Sequence, residues 1–72
     1  MNAEQIVEAY TKARKRAGLS QTKLADKVGT TQHVVSKYEI HDVQPSLSRM
    51  VDMLSAVGLQ LEVKPRETDD LD

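Results

Sequence analysis

The 72-residue chain has no cysteine, no phenylalanine and no tryptophan, and its aromatic content is two tyrosines. Without cysteine there is no disulfide framework and no thiolate metal site, and the chain reads as a cytoplasmic one. Its two histidines, His33 and His41, have no Cys or carboxylate motif at metal-ligand spacing, so neither a metal nor a cofactor is expected. There is no long apolar run and no signal peptide, which argues against a membrane role. With Phe and Trp missing, any core has to be aliphatic, filled out by Met and Tyr, as in a compact helical bundle. A single domain of this size draws only about 3–5 kcal/mol from one core. Something further is expected to help hold it together.

Net charge is nearly absent, at −1, although 29% of the residues are charged, and the two signs are unevenly distributed. From Met1 to Tyr38 seven cations (Lys12, Arg14, Lys15, Arg16, Lys23, Lys27, Lys37) face three anions, giving +4. From Glu39 to Asp72 three cations face eight anions, giving −5. A charged ligand responds to the local field more than to the sum, so the first half is the candidate surface for a polyanion.

Glycine is scarce as well, and all three copies, Gly18, Gly29 and Gly58, fall just past the end of an apolar-periodic segment, where helices close. Before Gly18, Ile6, Tyr10, Ala13 and Ala17 recur at helical spacing, widened by Val7, with Asn2 as a cap. The basic residues Lys12, Arg14, Lys15 and Arg16 crowd the end of that segment. Two readings apply to them, compensation of the helix dipole and contact with phosphate. Before Gly58, Leu47, Met50, Leu54 and Val57 form a further stripe, flanked by Val51 and Met53 and capped by Ser46 after Pro45. Its methionines read as core filling.

Between these lies Ser20–Glu39, SQTKLADKVGTTQHVVSKYE. Ser20 and Thr31 stand where N-caps are needed, and Gly29 offers the positive φ of a tight turn. Ala25 is small where two helix backbones must approach, and Leu24, Val28, Val35 and Tyr38 supply the inward face. That is the layout of a helix-turn-helix, with helices over Gln21–Val28 and Gln32–Glu39. An ordinary helical hairpin is the plainer alternative, but it has no need of this spacing.

After Gly58 the period changes. Leu59-Gln60-Leu61-Glu62-Val63-Lys64 alternates apolar and polar, the pattern of a half-buried strand ended by Pro65. No second strand candidate exists to pair with it, so two copies pairing across a two-fold axis are expected, with Leu59, Leu61 and Val63 at the seam. The competing reading is an extended segment lying on its own helices. The expected organisation is one domain over residues 1–64, including the 59–64 strand, followed by a flexible acidic tail over 65–72.

The motifs LSQTKLADKVG, TTQHVVSKYE and PSLSRMVDML together resemble the XRE-type, lambda-repressor-like helix-turn-helix family. The ending LSAVGLQLEVKPRE resembles that of HipB-type antitoxins. The resemblance implies an all-α, compact four-helix domain with a short C-terminal β-strand paired across a homodimer. It implies a non-enzymatic repressor of a palindromic double-stranded DNA operator, and a HipA-like kinase toxin as a protein partner. Gln32, His33, Val34, Ser36 and Lys37 then become base readers, an amide suiting adenine, and Gln21, Lys23, Thr30 and Thr31 become phosphate contacts. Two departures stand out. Ile40-His41 replaces the Asn-Gly common after the second helix, which removes the glycine from that turn, and the helix expected before the strand is absent or fused into Leu47–Val57. The alternatives are a free-standing or prophage regulator without a toxin, and an interaction module that no longer binds DNA. An enzyme is disfavoured, since no nucleophile, base and orienting group can be brought together.

Overall fold

A computed structural model describes residues 1–63. It contains four helices: α1 (Ala3–Arg16), α2 (Gln21–Val28), α3 (Gln32–Glu39) and α4 (Leu47–Ala56). Each begins at a polar cap that satisfies an otherwise orphaned amide, at a typical value of about 1 kcal/mol. Asn2 accepts from the Gln5 amide at 2.9 Å while the Gln5 side chain accepts from the Asn2 amide at 2.9 Å, a complete capping box. Ser20, Thr31 and Ser46 cap the other three helices, through the amides of Lys23, Val34 and Arg49.

The helix ends follow one design. At the end of α2, Gly29 adopts φ 79° and the next amide, Thr30, donates to the Ala25 carbonyl at 2.9 Å. Gly18 and Gly58 close α1 and α4 in the same left-handed way. The fourth end lacks glycine, and there His41 takes the left-handed position at φ 63°. Its amide donates to Tyr38 at 3.0 Å and that of Asp42 to Lys37 at 2.9 Å, the paired bonds of a Schellman closure. The missing glycine therefore leaves the turn type unchanged and loads the strain on a histidine, one of the few side chains that tolerates it.

The core comprises Val7, Tyr10, Leu24, Ala25, Val35, Tyr38, Met50, Met53 and Leu54, with Ile6, Leu19, Val28, Val34, Val57 and Leu61 among the side chains packed around it. Every helix contributes. Ala25 is fully buried, as a close approach of α2 and α3 requires, and Val35 and Tyr38 seat α3 from one side.

Two faces differ from the periodic expectation. In α1 the buried stripe is Val7, Tyr10 and Arg14; Ile6 and Ala13 are half-buried and Ala17 is exposed. A cation occupies the core-facing position because it has a partner there, described below. In α4 the stripe is Met50, Met53 and Leu54, and Leu47 is 68% exposed. At about 3.6 residues per turn Leu47 falls roughly 65° from the centre of that stripe, beyond its edge. Met53, expected at the flank, is fully buried. The two methionines of α4 are core, as their spacing implied.

Residues 59–63 form no regular element, so the expected strand is not formed within the single chain. Leu61 packs against the core, whereas Leu59 is 38% and Val63 97% exposed. Lys64, the end of the expected strand, and the acidic segment 65–72 lie outside the described residues. No separate helix stands between α4 and residue 63. Among the described residues no helix is long and apolar enough to cross a membrane.

Candidate nucleic-acid interface

The turn between α2 and α3 is only three residues long, and it places the start of α3 on the outside of the domain. Gln32 and His33 are exposed there. Val34, Ser36 and Lys37 are half-buried, and part of the Val34 side chain is already occupied by the core. On the neighbouring surface Lys23 and Thr31 are exposed, Gln21 and Thr30 half-buried. The first turns of α2 and α3 contain no carboxylate of their own, so neither helix dipole is offset from within its own helix.

Beneath this surface lies a buried polar centre. Glu39, the last residue of α3, receives the Arg14 guanidinium edge-on, Nε at 2.7 Å from Oε2 and Nη2 at 2.8 Å from Oε1. The Tyr10 hydroxyl donates to Oε2 at 2.7 Å and the Gln21 amide to Oε1 at 3.0 Å. Arg14 spends its remaining terminal nitrogen on the Leu19 carbonyl at 2.7 Å. Arg14 is 7% exposed. No buried side-chain nitrogen or oxygen among the described residues lacks a partner. The saturation matters, because an ion pair shielded from water is stabilising only when its remaining hydrogen-bonding capacity is filled.

The electrostatics follow. Burial by itself would raise the Glu39 carboxyl, but the hydrogen bonds from Arg14, Gln21 and Tyr10 outweigh it and hold the group below its ordinary value. The bond to Glu39 raises Arg14 against the opposing effect of burial. Tyr10 is pushed well above its usual range, first by burial and then by its bond to Glu39. At neutral pH the centre is therefore carboxylate, guanidinium and neutral phenol.

This centre continues to the surface. The Gln21 amide, having donated inward to Glu39, accepts outward from the Gln32 amide at 2.7 Å. A phosphate-contact candidate and the leading base-reading candidate are thus joined, and both are linked to a buried carboxylate. Arg14, counted in the sequence among the basic residues able to meet phosphate, is withdrawn from that role; Lys12, Lys15 and Arg16 remain exposed. Arg14 and Glu39 also sit on opposite sides of the charge division, so neither contributes its full charge to the outer field. On α4, Arg49 donates to the Val28 carbonyl at 2.7 Å and fixes the end of α2. The weight of Tyr10, Arg14 and Glu39 could have been suspected from the sequence only through the three-and-four spacing of Val7, Tyr10 and Arg14.

Two short capped helices about a left-handed glycine, braced by α1 and α4 and offering an uncharged amide at the head of the second, define a helix-turn-helix unit. Residues 11–64 match the family described as "Helix-turn-helix". The chain belongs to the XRE-like helix-turn-helix family, a family of DNA-binding regulators. No curated protein and no solved structure matches it.

Proposed function

We propose that the chain is a sequence-specific transcriptional repressor that reads a palindromic operator as a homodimer. The observation that carries this is Gln32, exposed at the head of α3 and anchored by Gln21. Gln32 is the principal base reader, by a bidentate contact to adenine, with His33, Ser36 and Lys37 beside it and the Val34 methyls available to a thymine methyl. Gln21, Lys23, Thr30 and Thr31, with the α2 amide terminus, take the flanking phosphates. Support for a two-fold assembly comes from the alternating Leu59, Leu61 and Val63, of which Leu59 and Val63 are exposed in the single chain. Pairing this segment with a second copy satisfies its backbone and sets two reading helices about one DNA turn apart, roughly 10 bp, or a multiple of it.

The finer role is that of a HipB-like antitoxin, which binds its own operator in the cytoplasm and neutralises a HipA-like kinase toxin. The supporting feature is the likeness of LSAVGLQLEVKPRE to the ends of such proteins. Fluorescence anisotropy with the duplex upstream of the chain's own gene, at stated salt, tests the DNA reading. Saturable binding that greatly exceeds that to a scrambled duplex is the expected result, and equal weak binding to both rejects it. Co-purification with the product of an adjacent kinase-like gene tests the antitoxin role; absence of such a complex leaves a free-standing regulator.

A further inference from the structure

Building on the DNA reading above, we propose that Glu39 is a positioning residue for base choice, setting through Gln21 which hydrogen-bonding groups Gln32 presents to DNA. An ionised carboxylate can only accept. Gln21 must therefore turn its NH2 inward to Glu39, at 3.0 Å, and its carbonyl oxygen outward. That oxygen in turn can only accept, so Gln32 must direct its NH2 toward it, at 2.7 Å. The amide polarity at the surface is thus dictated by the buried charge, without reference to DNA.

The consequence is a count of protons. An amide NH2 has two, and Gln32 spends one on Gln21. What remains is one donor and the carbonyl oxygen. Adenine offers an acceptor and a donor on its major-groove edge, and guanine offers two acceptors. Gln32 as held here matches the first and lacks the second proton that guanine requires. Glu39 touches no base. Its influence passes through two amides, while Tyr10 and Arg14 keep it in place at 2.7 Å each.

The relay can be reversed. In the double variant Arg14→Met/Glu39→Gln the neutral amide is no longer confined to accepting: with the phenol of Tyr10 donating to its oxygen, its NH2 faces Gln21, an orientation that the carboxylate cannot provide. Gln21 then turns over, and so does Gln32, leaving both Gln32 protons free for the groove. Selection from a duplex library with a randomised centre reads the result. The wild-type chain is expected to enrich adenine at one position per half-site, that position being the one whose preference disappears in Gln32→Ala. A bidentate contact discriminates roughly 5- to 150-fold. In the double variant the ratio of adenine to guanine at that position is expected to fall to parity or invert. A variant that melts cooperatively, binds DNA and keeps the wild-type ratio overturns the proposal.

Gln21→Met provides a second route that leaves the ion pair intact. Loss of adenine preference at the same position is expected; an equal loss of affinity for all sequences makes Gln21 a phosphate anchor alone and also overturns the relay. Side-chain amide exchange measured by NMR in the DNA-free protein separates this inference from the DNA reading. One Gln32 proton is expected to exchange slowly in the wild type and to lose that protection in Gln21→Met. Two equally fast protons in the wild type refute the relay whatever the DNA result. A protected proton in a chain that enriches no sequence refutes the DNA reading, and the base choice assigned here with it.

Discussion

Arg14 and Glu39 are 25 positions apart and meet through two charge-assisted bonds of 2.7 and 2.8 Å, with both side chains almost wholly out of solvent. The pair connects the end of α1 to the end of α3. Removing one partner strands the other, whereas exchanging both removes the need for either. Arg14→Met alone is expected to cost about 3–5 kcal/mol, comparable to the whole stability of a domain this small. Arg14→Met/Glu39→Gln is expected to be markedly less damaging, because Tyr10 and Gln21 keep a neutral partner. Urea unfolding followed by circular dichroism compares the two.

Stability should also depend on pH in a defined window. The folded-state pKa of Glu39 lies below its ordinary 4.5, so its contribution is complete above about pH 4.5 and is lost as the pH falls through the folded value. Tyr10 is shifted the other way, above its ordinary 10.0, so its contribution is complete below about pH 10 and is lost as the pH rises from there through the higher folded value. Between these limits neither group changes stability. Thermal melts from pH 2 to 7 are expected to show a steep loss at the acid end, and Tyr10→Phe should weaken the acid dependence by removing one donor that depresses Glu39.

His41 occupies a left-handed position that disfavours a side chain by about 1–2 kcal/mol. Its ring lies 3.8 Å from Glu8, an exposed pairing worth little. His41→Gly relieves the strain but frees the unfolded chain, for a net gain of about 0.5–1 kcal/mol. His41→Val should instead lose about 1 kcal/mol, since a β-branched residue fits that region worst. Urea midpoints at unchanged slope measure both.

Gln32→Ala leaves the core untouched, since the side chain is exposed and joined only to Gln21. The melting temperature is expected to stay within a few degrees of wild type, with preference lost at one base position, by about 1–3 kcal/mol. Competition binding with single-base operator variants measures it. Uniform weakening on every sequence assigns Gln32 to positioning.

Deleting residues 59–72 removes the proposed pairing segment. Sedimentation equilibrium is expected to show a monomer in place of a dimer, with operator affinity sharply reduced. Some stability is lost as well, because Leu61 packs on the core. A truncated chain that remains dimeric places the two-fold contact elsewhere.

Much of this fold can be read along the chain because its signals are local. Asn2, Ser20, Thr31 and Ser46 announce helix starts by chemistry that acts over three residues, and the glycines announce three of the four ends. Ala25 and Gly29 are legible because their roles depend on their own size and backbone. Arg14 is hardly so, because a charge takes a buried position only with a partner, here 25 residues away, and only its three-and-four spacing from Val7 and Tyr10 distinguishes it from Lys15 or Arg16. The facing of α4 is hidden for a related reason: Leu47 and Met53 are both apolar, and only the packing of the other helices decides which is covered. The alternation from Leu59 to Lys64 reads as a strand, but among the described residues nothing pairs with it, and pairing with a second copy is a matter of assembly rather than of local pattern. In the site, Gln21 and Gln32 could each be chosen from their places in the motif. Their bond, and its continuation to Glu39, depends on the approach of three helices.

A chain without cysteine still closes a long loop here. Arg14 and Glu39 enclose all of α2 and the turn after it, in the place where a small secreted protein would put a disulfide. The two devices act on opposite sides of the folding equilibrium. A covalent crosslink works chiefly by restricting the unfolded chain, whereas this clasp leaves that ensemble unrestrained and acts in the native state alone. It forms once its 24-residue loop has closed, is indifferent to reductant, and is released by protons.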